Sequence, residues 1–334
     1  MKPLVYLLLL FPGFLACSNA GKKPANNTAA PTAEVRVEVP AFNADSAWQF
    51  VAKQLAFGPR VPGHKAHEAC ADWMSNKMSN WADTVIVQSF RARAYTKAIL
   101  DGKNIISSFN PSATKRILLA AHWDSRPYAD HDPDNTKHRT PIDGANDGAS
   151  GVGVLMEIGR LIHTQKLPQN IGLDIVFFDL EDYGPHNDER SSGDDGFWAL
   201  GSQHWSRTPH IPGYKANFGI LLDMVGAKNA VFPREYYSQQ YAAWVLDKVW
   251  RTAQNMGYDN YFSNRPGMPI NDDHIAVNQI AGIPMIDIIH QDPNSSNGTF
   301  YEHWHTSNDN LAQIDKETLR VVGEVVTRVV YETK

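Results

Sequence analysis

Apolar positions along this chain follow two successive periodicities. Near the start of the folded part they recur at helical spacing: Trp48, Val51 and Leu55 follow the capping pair Asp45-Ser46, which predicts helices over 46–57 and 64–81. The pattern then turns to β. Two β-rich runs follow, 84–95 and 97–109, with Asp101-Gly102, set between apolar residues, as the expected hairpin turn.

From Ile117 the pattern reads strand, loop, helix, strand. ILLAAHWD (117–124) is followed by a polar loop to about 146, a helical stretch over 151–165 and an apolar run from 173 to 180. This is βαβ grammar, and two more buried strands, FGILLDMV (218–225) and PMIDIIH (284–290), extend it around a long helix at 235–256. A last amphipathic helix at 315–333 opens on Asp315 as N-cap, with Leu319, Val322, Val326 and Val330 on one stripe. The expected fold is a single three-layer α/β/α domain over 41–334, with a mixed, mostly parallel sheet and helices on both faces.

The first 40 residues read differently. Residues 1–17 carry one Lys, an apolar stretch too short to span a bilayer and then small residues, the grammar of an export signal. Leu15-Ala16-Cys17 resembles a bacterial lipobox, in which Cys17 is lipidated; a cleaved secretory peptide ending at Ser18-Asn19-Ala20 is the alternative. Residues 18–40 have a tether's composition. The expected location is outside the cytoplasm, in the periplasm on a lipid anchor. A lipidated Cys17 leaves Cys70 without a disulfide partner, as a small buried hydrophobe. Across 334 residues the net charge is −5 with no Lys/Arg block, which argues against nucleic acid or an anionic membrane surface as the main partner.

The chemistry gathers where the strands end. FFDLED (177–182) drives a buried strand into the carboxylates Glu181 and Asp182, which alternation would point apart unless the strand breaks there. His122 and Asp124, two residues apart, end the first βαβ strand and share a face of the pleat. Asp147 sits among the small residues of GANDGASG (144–151), Asp223 ends LLDMVG, and His305 lies beyond the last strand. Each alone could be a cap, a turn former or a surface group. Together they point to a metal site, and imidazole plus carboxylates without cysteine suits catalytic zinc.

In this order the residues resemble the zinc aminopeptidase clan with the bacterial leucyl aminopeptidase fold. Trp304 before His305, NDDHIAV (271–277) and LLDMVGA (221–227) bring the resemblance closest to the animal-type glutaminyl-peptide cyclotransferases and their bacterial relatives. It implies one zinc per chain on Asp147, Asp182 and His305, with Asp182 standing where animal cyclases have Glu. It also implies Glu181 as general acid/base, Asp223 and Asp272 as its acidic partners, and conversion of N-terminal glutamine to pyroglutamate. Neighbouring Asp223 supplies the like charge expected to raise the Glu181 pKa. Trp304 and Phe300 are the expected pocket walls, with Trp198 divided between pocket and core. Asp287 replaces the family's buried His, so a differently wired proton network is expected. His122 and Asp124 lie behind the metal in this reading. In the competing one, His122, Asp147 and Asp223 hold a second zinc and the chain is an aminopeptidase; a non-catalytic binder is the third possibility. Implied partners are N-terminal glutaminyl peptides and exported proteins, acted on by a monomer. The polar stretch 184–196 should border the site as a lid or a solvated loop.

Overall fold

In the computed structural model, residues 38–191 and 193–334 are described; the expected export signal, Cys17 and nearly all of the tether lie outside them. The elements begin with α1 (Ala44–Leu55), α2 (Lys65–Ser79), β1 (Thr84–Arg93), β2 (Ile99–Phe109), β3 (Lys115–His122), α3 (Ala149–Thr164) and β4 (Ile171–Phe178). They continue with α4 (Leu200–Arg207), β5 (Phe218–Asp223), β6 (Phe232–Arg234), α5 (Tyr236–Asn255) and β7 (Phe262–Pro266). The last are α6 (Asp273–Ala276), β8 (Met285–Ile289) and α7 (Lys316–Tyr331).

The main sheet has the order β1-β2-β4-β3-β5-β8. β1, β2 and β4 pair antiparallel, whereas β4, β3, β5 and β8 run parallel. Alternation along each strand divides the core between the faces. Ile117, Leu119, Leu173, Ile175, Phe177, Ile220, Leu222, Ile286 and Ile288 join the cluster with α1, α2, α3, α5 and α7. Leu118, Ala120, Val176, Phe178, Leu221 and Met285 face Trp205 of α4 and Val277. The expected three-layer, mostly parallel fold is the one observed.

Asn43 caps α1 rather than the Asp45-Ser46 pair, and Asp315 caps α7 as the sequence predicts. The hairpin turn is corrected: it lies at 94–98, where Lys97 is left-handed (φ 69°), and Asp101-Gly102 sits inside β2 opposite Arg91 and Phe90. Gly102 is needed there because a Cβ would meet the Phe90 ring at 2.4 Å. α5 is broken at Ala242 (φ −142°, ψ 40°), where the sequence predicts one continuous helix. Among the described residues no helix is long and apolar enough to cross a membrane.

Candidate metal centre and pocket

β3, β4 and β5 end on one side of the sheet, where open α/β folds place their clefts. β3 delivers His122, with Asp124 two residues beyond. After β4, Leu180 adopts a left-handed conformation (φ 58°), which breaks the strand and turns Glu181 and Asp182 into the cleft. After β5, Met224 does the same (φ 49°) next to Asp223, and His305 itself is left-handed (φ 54°). Such backbone is costly for side chains other than Gly and persists where the surroundings impose it.

Asp147 is supplied by the loop that opens α3, where its peptide to Gly148 is cis. The small residues bring that loop close: a Cβ on Gly148 would meet His122 Nε2 at 2.3 Å, and one on Gly151 would meet the Leu222 carbonyl at 2.3 Å. Asn146 Oδ1 accepts from Gly226 N–H at 2.8 Å and Ser150 Oγ from Val225 N–H at 3.0 Å, tying the loop to the exit of β5.

Two overlapping groups of buried donor atoms result, each spanning no more than 4.8 Å: Asp147, Asp182 and His305, and His122, Asp147 and Asp223. They differ in how their charges are met. In the second, His122 Nε2 lies 3.0 Å from Asp147 Oδ1 and 3.2 Å from Asp223 Oδ1, so an imidazole proton serves both carboxylates. In the first, His305 Nε2 lies 3.1 Å from Asp182 Oδ1 and 3.5 Å from Asp147 Oδ2, yet neither oxygen of the buried Asp182 makes a hydrogen bond. A buried carboxylate without donors asks for a cation, and two carboxylates with one imidazole fit zinc with a coordination position left open.

Glu181 stands beside this trio at the wall of a cavity of about 410 Å³. Burial first, then the charges of Asp272, Asp182 and Asp273, hold its carboxyl well above the usual range. The like charge that the sequence reading expects from Asp223 comes chiefly from Asp272, Asp182 and Asp273 instead. Asp223 is itself pushed up to about 7, by burial first. Asp272 caps α6 through a bond from Asp273 N–H and also lines the cavity. Behind it, Asp287 is fully buried with neither carboxylate oxygen hydrogen-bonded, and burial with the surrounding carboxylates of Asp272, Asp223 and Glu235 raises its pKa well above the ordinary value.

Trp198, Phe300 and Trp304 all line the cavity. Trp304 stacks on His305 with ring centres 3.7 Å apart, and Phe300 leans on Trp304 at 4.6 Å. Trp198 lies parallel to the His305 ring (8°) at 6.3 Å and belongs to the pocket wall. From the stretch 184–196, Asn187 and Arg190 reach the rim.

Asp124 has a larger task than orienting His122, whose Nδ1 is 3.5 Å away. Its carboxylate accepts the backbone N–H groups of both Glu181 and Asp182, each at 3.1 Å. Sequence reasoning missed two counterparts. Asp309 accepts from the N–H groups of Asn146 (2.9 Å) and Asp147 (3.1 Å), and Asp130 faces His305 Nδ1 at 3.4 Å. Also missed were Arg126, which grips Asp130, and the cavity-lining His131, Met224, Ile270 and Ile289. Nothing in their local sequence separates them from ordinary loop and core residues.

Residues 104–330 match peptidase family M28. The glutaminyl-peptide cyclotransferase of Bothrops jararaca is 30% identical over 257 residues, which cover 69% of this chain and 65% of that protein. Thus the chain spans just under two thirds of the length of that relative. Among solved structures, Bacteroides thetaiotaomicron glutaminyl cyclase bound to N-acetylhistamine is 47% identical with a TM-score of 0.86, covering 89% of this chain and 100% of that one. A Zn-dependent exopeptidase from Parabacteroides distasonis is 50% identical with a TM-score of 0.86 and the same coverage. The resemblance to glutaminyl cyclases read from the sequence is therefore borne out, and the chain belongs to peptidase family M28.

Proposed function

We propose that this protein is a glutaminyl-peptide cyclotransferase, which converts the N-terminal glutamine of peptides and proteins to pyroglutamate and releases ammonia. The observation that carries the reading is Glu181: a protonatable carboxyl beside the Asp147, Asp182 and His305 trio but outside it, facing a pocket walled by Trp198, Phe300 and Trp304. The relatives named glutaminyl cyclase support it. One zinc per chain, when bound to the trio, supplies a Lewis acid toward the γ-carbonyl oxygen of the substrate.

In the reaction the α-amine attacks the γ-amide carbon, a carbon–nitrogen bond closes the five-membered ring, and the bond to the amide nitrogen breaks. Glu181 takes the proton from the attacking amine and returns it to the departing nitrogen, so no external water is consumed. The raised Glu181 pKa suits a group that must both accept and donate. Asp223 and Asp272 stand as its acidic partners. The aromatic walls hold the flat glutamine amide and keep amine and carbonyl in attacking geometry.

The group of His122, Asp147 and Asp223 favours a second reading, a dizinc aminopeptidase. A Gln-Phe-Ala peptide separates them by mass spectrometry. Loss of ammonia without a free amino acid is expected; free glutamine, or equal turnover of Leu-Phe-Ala, overturns the cyclase in favour of the peptidase. We read the chain further as a monomer exported to the periplasm and held there by a lipid on Cys17, with N-terminal glutaminyl peptides and exported proteins as its substrates.

A further inference from the structure

Arg126 lies in the loop after β3 and is fully buried. A guanidinium carries five N–H donors in a fixed fork, and burying it is expensive unless they are met. Here there are five bonds to five acceptors. Nε and Nη2 donate to Asp130 Oδ1 and Oδ2 at 3.0 and 2.6 Å, a bidentate grip. Nη1 donates to the carbonyls of Asp182 (3.1 Å) and Gly184 (3.2 Å), and Nη2 also to that of Pro185 (2.9 Å). The guanidinium further packs against the ring of Trp198 at 4.7 Å.

Each of these partners belongs to the candidate metal centre or adjoins it. Asp130, buried itself, turns Oδ1 toward His305 Nδ1 at 3.4 Å and accepts the Asn187 N–H on Oδ2 at 3.1 Å. The next residue, His131, donates its N–H to the His305 carbonyl at 3.1 Å, so this loop holds both the ring and the backbone of His305. A proton on Nδ1 shared with Asp130 leaves Nε2 with its lone pair, and Nε2 faces Asp182 and Asp147.

We propose that Arg126 and Asp130 are positioning residues of the zinc site: one guanidinium–carboxylate pair fixes the tautomer and ring orientation of His305 and, through the 182–185 carbonyls, the turn that carries Asp182. This rests on the reading that Asp147, Asp182 and His305 hold zinc. Lysine cannot substitute for Arg126, because a single ammonium has three donors and no planar fork for Asp130. Asn at position 130 keeps the shape but loses the charge that makes the imidazole a stronger donor.

The test is zinc affinity by chelator competition on the purified full chain, with the visible spectrum of the cobalt(II)-substituted protein as a second readout. Asp130→Asn and Arg126→Lys are expected to weaken zinc about 10- to 100-fold, the usual effect of removing a partner that orients a ligand. Their cobalt spectra should shift, reporting altered coordination at His305. Wild-type zinc affinity and an unchanged cobalt spectrum in Asp130→Asn overturn the proposal. So does a fall in unfolding temperature in both variants with zinc affinity unchanged, which marks a purely structural role. Zinc binding by His305→Ala as tight as wild type shows instead that the metal site is misassigned, and the proposal falls with it. None of these readouts needs turnover, so failure of the cyclase reading alone leaves the proposal standing and is seen separately in the peptide assay.

Discussion

Glu181 and Asp182 are adjacent in sequence yet differ in surroundings. Asp182 is buried with both oxygens lacking donors, whereas Glu181 is half-buried at the cavity wall among like charges. The division of labour proposed for them follows, and Glu181→Gln separates the roles because it removes the proton carrier and keeps the shape. The variant should retain zinc by elemental analysis and lose turnover on the order of a hundredfold or more. Asp182→Ala and His305→Ala should lose zinc first and activity as a result; zinc loss in Glu181→Gln would instead make Glu181 a ligand. At this scale the sequence was informative wherever a polar group interrupts an apolar strand, as at His122, Asp182 and Asp223. It was silent on Arg126, Asp130 and Asp309, because a loop residue becomes a support only through the partner that the fold brings to it.

Helices and strands were legible because their apolar periodicity is strong, as in the stripe of α7 and the continuous run of β4. The hairpin turn was not. Asp-Gly is a turn signal, but at Gly102 the missing side chain serves the Phe90 ring across the strand pair, a packing demand that local sequence does not carry. The same reasoning applies to α3, whose first turns are pressed from two sides. A Cβ on Gly151 would meet the Leu222 carbonyl of β5 at 2.3 Å and Ala121 of β3 at 2.9 Å, and one on Gly153 would meet Val51 of α1 at 2.6 Å. Gly151→Ala must therefore lift α3 from the sheet beside Asp147. We expect about 1–3 kcal/mol of destabilisation by denaturant unfolding, together with weaker zinc binding. An alanine variant as stable as wild type would show that the backbone yields there without strain.

For the whole molecule, the site draws on segments from His122 to His305 and concentrates carboxylates that become adjacent only on folding. Burial first pushes Asp182 up to about 6 and both Asp223 and Asp309 up to about 7, from an ordinary 3.8. Acids raised on folding favour the native state while they stay protonated, so their stabilisation is full below 3.8 and fades as pH rises through 6 to 7. Asp130 and Asp147 are lowered on folding and act in the opposite sense below 3.8; His131 and His290, lowered to about 4, oppose between 4 and 6.5, while His305, raised to about 9, adds to the loss above 6.5 and leaves the raised acids dominant. Metal-free protein should therefore melt at a lower temperature at pH 7.5 than at pH 5, with zinc restoring more at the higher pH; a metal-free melting temperature that rises over this interval contradicts the account. Cys70 offers a way to time the same opening. It is buried where α2 packs on the sheet, and burial pushes its thiol up to about 12, so a thiol reagent finds almost no thiolate in the closed protein. With Cys17 changed to Ser it is the sole thiol of the chain, and its modification rate becomes a clock for the excursions in which α2 leaves the sheet.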